Sequence, residues 1–205
     1  MLEEKILSDI PRDASILAVC AGQFERNLFE KLNFTNCTVT NISTGHDAHD
    51  LPFEDQEFDV GFVHAGLHHC RRPHQALTEL YRVSSRTIVI ESRDSSVMRI
   101  ATTLSLSESY EVSACAANDW KSGGVDNTPV PNYVYRWTER EIEKVVRSYD
   151  PTGDPAFRFF YDYRAPANGG TLIRAIAAPI RFLPRQSNVF GVVIDRPTET
   201  FEWIR

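Results

Sequence analysis

The 205-residue sequence has no uninterrupted apolar run approaching bilayer length, no C-x-x-C pair, no basic excess and no internal repeat. Each absence removes a class of protein. Crossing a membrane takes a run of about 20 apolar residues, so a membrane partner is not expected. The opening Met1-Leu2-Glu3-Glu4-Lys5-Ile6 has no apolar core of the kind a secretory leader carries, and a cytoplasmic location is expected. A net charge of −6 and a pI near 5.5 offer no basic field to phosphate backbones. Nucleic acid is therefore not an expected partner, and a small molecule is. Cys20, Cys37, Cys70 and Cys115 stand far apart, which suits reduced, mostly buried thiols in a reducing compartment. All six histidines fall between His46 and His74. The spacing of His68, His69, Cys70 and His74 nevertheless matches no zinc motif, and no metal is expected.

What is present is an ordinary globular composition, 42% apolar and 24% charged, with no linker or low-complexity tract to divide it. One domain over residues 1–205 is the simplest organisation. Ser15 to Cys20 is a short apolar run rich in β-formers, bounded by Pro11 and Gly22, and reads as a first buried strand. Phe24, Leu28, Phe29 and Leu32 then recur at helical spacing, with Glu25, Arg26, Glu30 and Lys31 on the opposite face. Further strands are expected over Cys37–Ile42, Glu57–His64 and Thr87–Glu91. Ala76, Leu77, Leu80 and Val83 place a crossover helix between the last two. Strands alternating with helices imply an α/β doubly wound sheet.

The second half is less regular. A helix is expected over Ser95–Leu106, extended chain over Tyr110–Ala116, and a Gly- and Pro-containing loop over Asp119–Pro131. Thr138-Glu139-Arg140-Glu141 has the Thr-x-x-Glu pattern that opens a helix, here running to Tyr149. Phe157–Tyr163 and Val189–Asp195 read as a late antiparallel pair around a helical excursion near Leu172–Phe182.

The most informative stretch is Leu51-Pro52-Phe53-Glu54-Asp55-Gln56-Glu57-Phe58-Asp59-Val60, running on to Gly61-Phe62-Val63-His64-Ala65-Gly66-Leu67-His68-His69-Cys70. It is a tight acidic turn, a buried strand and a polar loop at that strand's C-terminal end, where open α/β sheets place ligands. Together with Asp47-Ala48 upstream, residues 14–94 resemble a class I S-adenosylmethionine-dependent methyltransferase of the type 11 kind, with a degenerate glycine motif. The resemblance implies a Rossmann-like sheet, mostly parallel with an antiparallel C-terminal pair, and S-adenosylmethionine as cofactor. Only Ser43-Thr44-Gly45-His46 separates the second strand from Asp47-Ala48, so one usual strand-helix unit is expected to be missing. Residues 95–137 are expected to form a cap or acceptor-binding region.

The resemblance also implies site residues. Ala21 and Gly22 take the turn after the first strand, beside the methionine part of the cofactor, although Ala18, Cys20 and Phe24 replace other motif residues. Asn41 stands where a carboxylate commonly holds the ribose, and Asp47 and Ala48 where adenine is bonded. His68 and His69 are expected in the cofactor pocket. His64, at the strand end and with a near-neutral intrinsic pKa, is the expected base as well as a pocket residue. Tyr133, Tyr135, Arg136 and Trp137 are candidate acceptor-binding residues. Their alternative is an aromatic cluster sealing the helix that follows.

The expected reaction is methyl transfer to an oxygen or nitrogen of a small acceptor, with a sugar-containing metabolite one candidate, and a homodimer one expected assembly. The main rival is a noncatalytic methyltransferase-like binding protein with a decayed cofactor turn. A nicotinamide dehydrogenase is poorer, because G-x-G-x-x-G is absent.

Overall fold

The computed structural model describes residues 1–94, 136–151, 153–162, 187 and 189–197. In chain order these form α1 (Leu2–Leu7), β1 (Ile16–Val19), α2 (Gln23–Lys31), β2 (Cys37–Val39), β3 (Phe58–His64), α3 (Pro73–Arg82), β4 (Ser84–Ser92), α4 (Glu139–Tyr149), β5 (Ala156–Asp162) and β6 (Val189–Asp195). The strands make one six-stranded sheet in the order β2-β1-β3-β4-β6-β5. The first four are parallel, and β6 runs antiparallel to both β4 and β5. This is the expected doubly wound α/β sheet with an antiparallel ending. The chain passes from β2 to β3 through only a 3-10 turn (Ile42–Thr44) and a loop, so no strand lies outside β2 on that edge among the described residues.

Strand side chains alternate between faces, and that period sorts the core into two layers. Leu17, Val19, Val63, Val89, Val192 and Ile194 pack under α3 and α4 with Leu77, Leu80, Ile142 and Val146. Ile16, Ala18, Phe62, Ile88, Ile90 and Val193 face the other way and are covered by α1 and α2 through Leu2, Ile6, Leu28 and Phe29. β1 is buried along its whole length, as a central parallel strand must be. Gly61 lets α3 approach β3, since a Cβ there would stand 2.7 Å from Leu80 Cδ1 and 2.6 Å from Ser84 Oγ.

Element boundaries differ from the sequence reading where side chains capture the backbone. The second strand stops at Val39 because Asn41 caps the 3-10 turn, its side-chain Oδ1 accepting from Thr44 N–H at 3.1 Å. α4 starts as expected, with Thr138 Oγ1 accepting from Glu141 N–H at 3.2 Å. The Glu141 carboxylate pairs with His74 Nε2 at 2.8 Å instead of turning back to close a capping box. The expected helix over Ser95–Leu106, strand over Tyr110–Ala116, loop over Asp119–Pro131 and excursion near Leu172–Phe182 lie outside the described residues.

Candidate active site

The C-terminal ends of β1 and β2, the loop after β2 and the loop after β3 enclose a cavity of about 590 Å³. Its walls include Ala21, Gly22, Asn41, Asp47, Ala48 and His69, six of the residues singled out in the sequence and distributed over 49 positions of chain (21 to 69). Cys20, Thr40, His49 and Cys70 complete much of the rest. The position is the one where parallel strands leave a crevice at their carboxyl ends.

The turn after β1 works without its usual glycines. Cys20 takes a left-handed backbone with φ +52°, a conformation costing a non-glycine residue roughly 1–2 kcal/mol. Two contacts hold the turn that follows: Ala21 N–H donates to Thr40 O at 3.0 Å, and Gly22 N–H to Glu25 Oε2 at 2.6 Å. Phe24 stacks on His64 at 4.8 Å and is not among the cavity-lining residues, so its bulk leaves the hollow open.

Asn41 is fully engaged. Its Nδ2 donates to Ala21 O at 2.7 Å and its Oδ1 accepts from Ser43 Oγ and Thr44 N–H. It therefore ties the β1 turn to the β2 turn and shapes the wall rather than offering a spare acceptor. Asp47 lies on the cavity wall with its side chain 62% exposed, and its Oδ1 accepts from His49 N–H at 2.9 Å and contacts His49 Nδ1. The backbone hydrogen bond from His49, the largest influence, holds the Asp47 carboxyl below its ordinary range despite partial burial. His49 also accepts from Arg72 N–H through Nε2 at 3.2 Å, and its carbonyl accepts from Gln75 Nε2 at 2.8 Å. It joins the Asp47 loop to the start of α3.

His64 sits elsewhere than the base position expected of it. Its Nε2 is 3.0 Å from Glu3 Oε1 and its Nδ1 3.3 Å from Glu25 Oε1, both carboxylates being buried, and it does not appear on the cavity wall. The ring clamps α1 and α2 to the end of β3. Burial by itself would raise the Glu25 pKa; hydrogen bonds from His64 and from Gly22 N–H outweigh it and hold the group below its ordinary value. His68 is likewise not among the cavity-lining residues, but it packs against His69, which is, and its contacts differ from those of His64. Its Nδ1 lies 2.8 Å from Glu91 Oε2, and Glu91 Oε1 accepts from Leu67 N–H at 2.7 Å. His68 Nε2 has no hydrogen bond among the described residues, and the His69 ring lies 4.2 Å away.

Trp137 does not face an acceptor. Its side chain is fully buried against α3 and α4, its backbone N–H donates to Ser92 O at 3.2 Å, and its ring centre lies 5.4 Å from that of His74. A large aromatic beside a helix start gains more from core burial than from a solvent-facing wall, which corrects its assignment as acceptor-binding. Arg136 is half-buried next to it, and Tyr133 and Tyr135 lie outside the described residues. Among the described residues no group of three or more His, Cys, Asp or Glu side chains is arranged to hold a metal ion. No described helix is long and apolar enough to cross a membrane.

Glu91, His49 and Glu3 were not legible as site residues from the sequence. For Glu91 a signal existed: two positions after Val89, it must share that residue's face, which packs on the loop carrying His68. Its side chain is buried, only 1% exposed.

A methyltransferase-domain family model matches residues 18–87, a stretch that contains every cavity-lining residue. Similar solved structures include a chain from the complex of the Haloferax volcanii Trm112 methyltransferase activator, with TM-score 0.58 and 13% identity over 98% of this chain and 90% of that one. Their architecture decides the fold. The fold is that of a class I S-adenosylmethionine-dependent methyltransferase. An S-adenosylmethionine-dependent methyltransferase from Archaeoglobus fulgidus gives TM-score 0.56 and 12% identity over 95% of this chain and 90% of its own. One from Thermotoga maritima gives 0.53 and 13% over 96% and 87%. No curated protein matches the sequence. The last two of these proteins are named as S-adenosylmethionine-dependent. The cavity fits a group of that kind: its volume is in the range of small-molecule sites, and its wall is largely apolar with a few polar groups. The space beside the turn at Gly22 is open, since a Cβ there would meet nothing closer than 4.0 Å.

Proposed function

We propose that this protein transfers a methyl group from S-adenosylmethionine to an oxygen or nitrogen of a small-molecule acceptor, with sugar-containing metabolites the first class to test. The observation that carries the reading is the cavity itself, which gathers Ala21, Gly22, Asn41, Asp47, Ala48 and His69 at the carboxyl edge of the sheet. In this reading Ala21 and Gly22 hold the methionine part, Asn41 shapes the ribose side, and Asp47 with Ala48 meets the adenine.

The cofactor, when bound, would supply an electrophilic methyl carbon, to which an aligned nucleophile would bond in line as the methyl–sulfur bond breaks and S-adenosylhomocysteine leaves. The protein's part is to align the acceptor, exclude water and take a proton from the attacking group. His64 is held at both ring nitrogens by carboxylates, so we assign proton removal to His68 instead. Donation from its Nδ1–H to Glu91 fixes the tautomer and leaves Nε2 to receive the acceptor's proton. Arg136 and the neighbouring residues before it remain the proposed acceptor side.

Titration calorimetry with S-adenosylmethionine and S-adenosylhomocysteine tests the reading. Heat that weakens in Asp47→Ala supports it, and no heat with either compound would leave a noncatalytic scaffold as the better account. Transfer of label from methyl-tritiated cofactor into fractions of a metabolite extract then identifies the acceptor class.

A further inference from the structure

Two cysteines meet inside the cavity. Cys20 ends β1 and Cys70 follows the turn at Leu67–His69, and their sulfurs are 3.8 Å apart although the residues are 50 positions apart in sequence. Both line the same cavity, Cys20 half-buried and Cys70 6% exposed. The approach is built into the backbone. A Cβ on Gly66 would stand 2.6 Å from Cys20 Cβ, so only glycine there lets the loop after β3 close onto the end of β1. Cys20 in turn holds its left-handed backbone at a place where glycine would be easier. A contact this close between thiols needs a shift of under about 2 Å to reach disulfide bonding distance.

We propose that Cys20 and Cys70 are a reversible redox dithiol in the cofactor cavity, oxidised by a peroxide to an intramolecular disulfide that lowers cofactor affinity. The lowered affinity rests on the cavity being the cofactor site; the dithiol chemistry does not. Cys20, the more exposed sulfur, reacts first. Its thiolate attacks one peroxide oxygen, the O–O bond breaks, and Cys20 sulfenic acid forms while hydroxide leaves and is protonated to water. The Cys70 thiol then gives up its proton and its sulfur attacks the sulfenic sulfur. The S–S bond forms, the S–O bond breaks, and the departing hydroxide takes up that proton as a second water. Two thiols lose two electrons to one peroxide.

The neighbouring Cys20 thiol and burial push the Cys70 thiol up, so Cys70 stays protonated until it is drawn into the second step. This fits the buried sulfur as the resolving partner and the exposed one as the sensor. Closure draws the β1 turn toward the loop after β3, across the wall that Ala21, Gly22 and His69 share.

The test treats the full chain with hydrogen peroxide, blocks remaining thiols, and digests without reductant. The expected result is a Cys20–Cys70 linked peptide, lighter by two hydrogens than the two reduced peptides together, that disappears on adding dithiothreitol. Oxidation should also weaken S-adenosylhomocysteine binding by at least about tenfold, the size of one lost well-placed contact, and reductant should restore it. In Cys20→Ser, where neither the sulfenic acid nor the link can form, peroxide-treated and untreated samples should bind alike. Linkage through Cys37 or Cys115, or no linkage, overturns the dithiol. A Cys20–Cys70 link with unchanged affinity overturns the regulation while leaving the dithiol. If the reduced protein binds no cofactor, the cofactor reading and the regulation fail together, and the linked peptide still decides the dithiol by itself.

Discussion

Glu91 Oε2 lies 2.8 Å from His68 Nδ1 while Glu91 Oε1 accepts the Leu67 N–H at 2.7 Å. One buried carboxylate thus fixes both the imidazole and the backbone of the turn that carries it. A ring held in this way keeps one tautomer and one direction, which is what a proton acceptor requires and a freely rotating surface histidine lacks.

If His68 is the base, His68→Asn should lower methyl transfer by roughly 10²–10⁴-fold and leave calorimetric cofactor affinity unaltered. Single-turnover transfer from methyl-tritiated cofactor measures the first quantity. A larger loss in His64→Asn than in His68→Asn would return the role to His64.

Asn41 separates two views of the ribose side. Because its Nδ2 donates to Ala21 O, Asn41→Asp replaces that donor by a charge facing a carbonyl, and cofactor affinity should fall. Were Asn41 a weak stand-in for a ribose-binding carboxylate, the same substitution would tighten binding. Asn41→Ala should in addition cost about 1 kcal/mol of stability through loss of the cap, read as a shift in urea midpoint.

Trp137→Ala should destabilise by about 3–5 kcal/mol, the usual range for emptying a fully buried aromatic site. Chemical denaturation measures it. A loss under about 1 kcal/mol together with a raised KM for the acceptor would restore a direct binding role.

Acid sensitivity follows from Glu79. Burial would raise its pKa, but hydrogen bonds from Arg82 and from Leu51 N–H outweigh burial and hold it below its ordinary value of 4.5. A group depressed in the folded state contributes stability that is present above the unfolded pKa and is lost as pH falls through the folded one. Glu79→Gln should therefore be less stable than the parent near neutrality, and the difference should shrink as pH drops below 4.5. Urea midpoints across that range check the sign, and a difference that grows on acidification would refute it.

The fold was legible because its signals were local. The apolar run at Ile16–Val19, the helical spacing of Ala76, Leu77 and Leu80, and the Thr138 cap each specify an element without reference to the rest of the chain. The cavity residues were legible through family resemblance: Ala21, Gly22, Asn41, Asp47, Ala48 and His69 do converge. What escaped depends on contacts between segments distant in sequence. Glu3 reaches His64 from a helix the sequence reading passed over, and Glu91 is captured by a turn 23 residues before it. Composition near Trp137 suggested a binding wall, yet its fate was settled by α3 and α4 closing over it. No spacing rule contains that information.

The short β2 has a consequence for the molecule's neighbours. With no strand beyond it among the described residues, β2 forms one end of the sheet. Its three residues span only about 10 Å, too little unpaired main chain for a stranger to zip onto. Among the described residues the seven-residue β5 forms the other end and carries Arg158, paired with Asp195, and Asp162, charges of the kind that discourage edge-to-edge stacking. The molecule's resistance to aggregation should accordingly depend more on those two charged side chains than on the abbreviated rim beside the cavity.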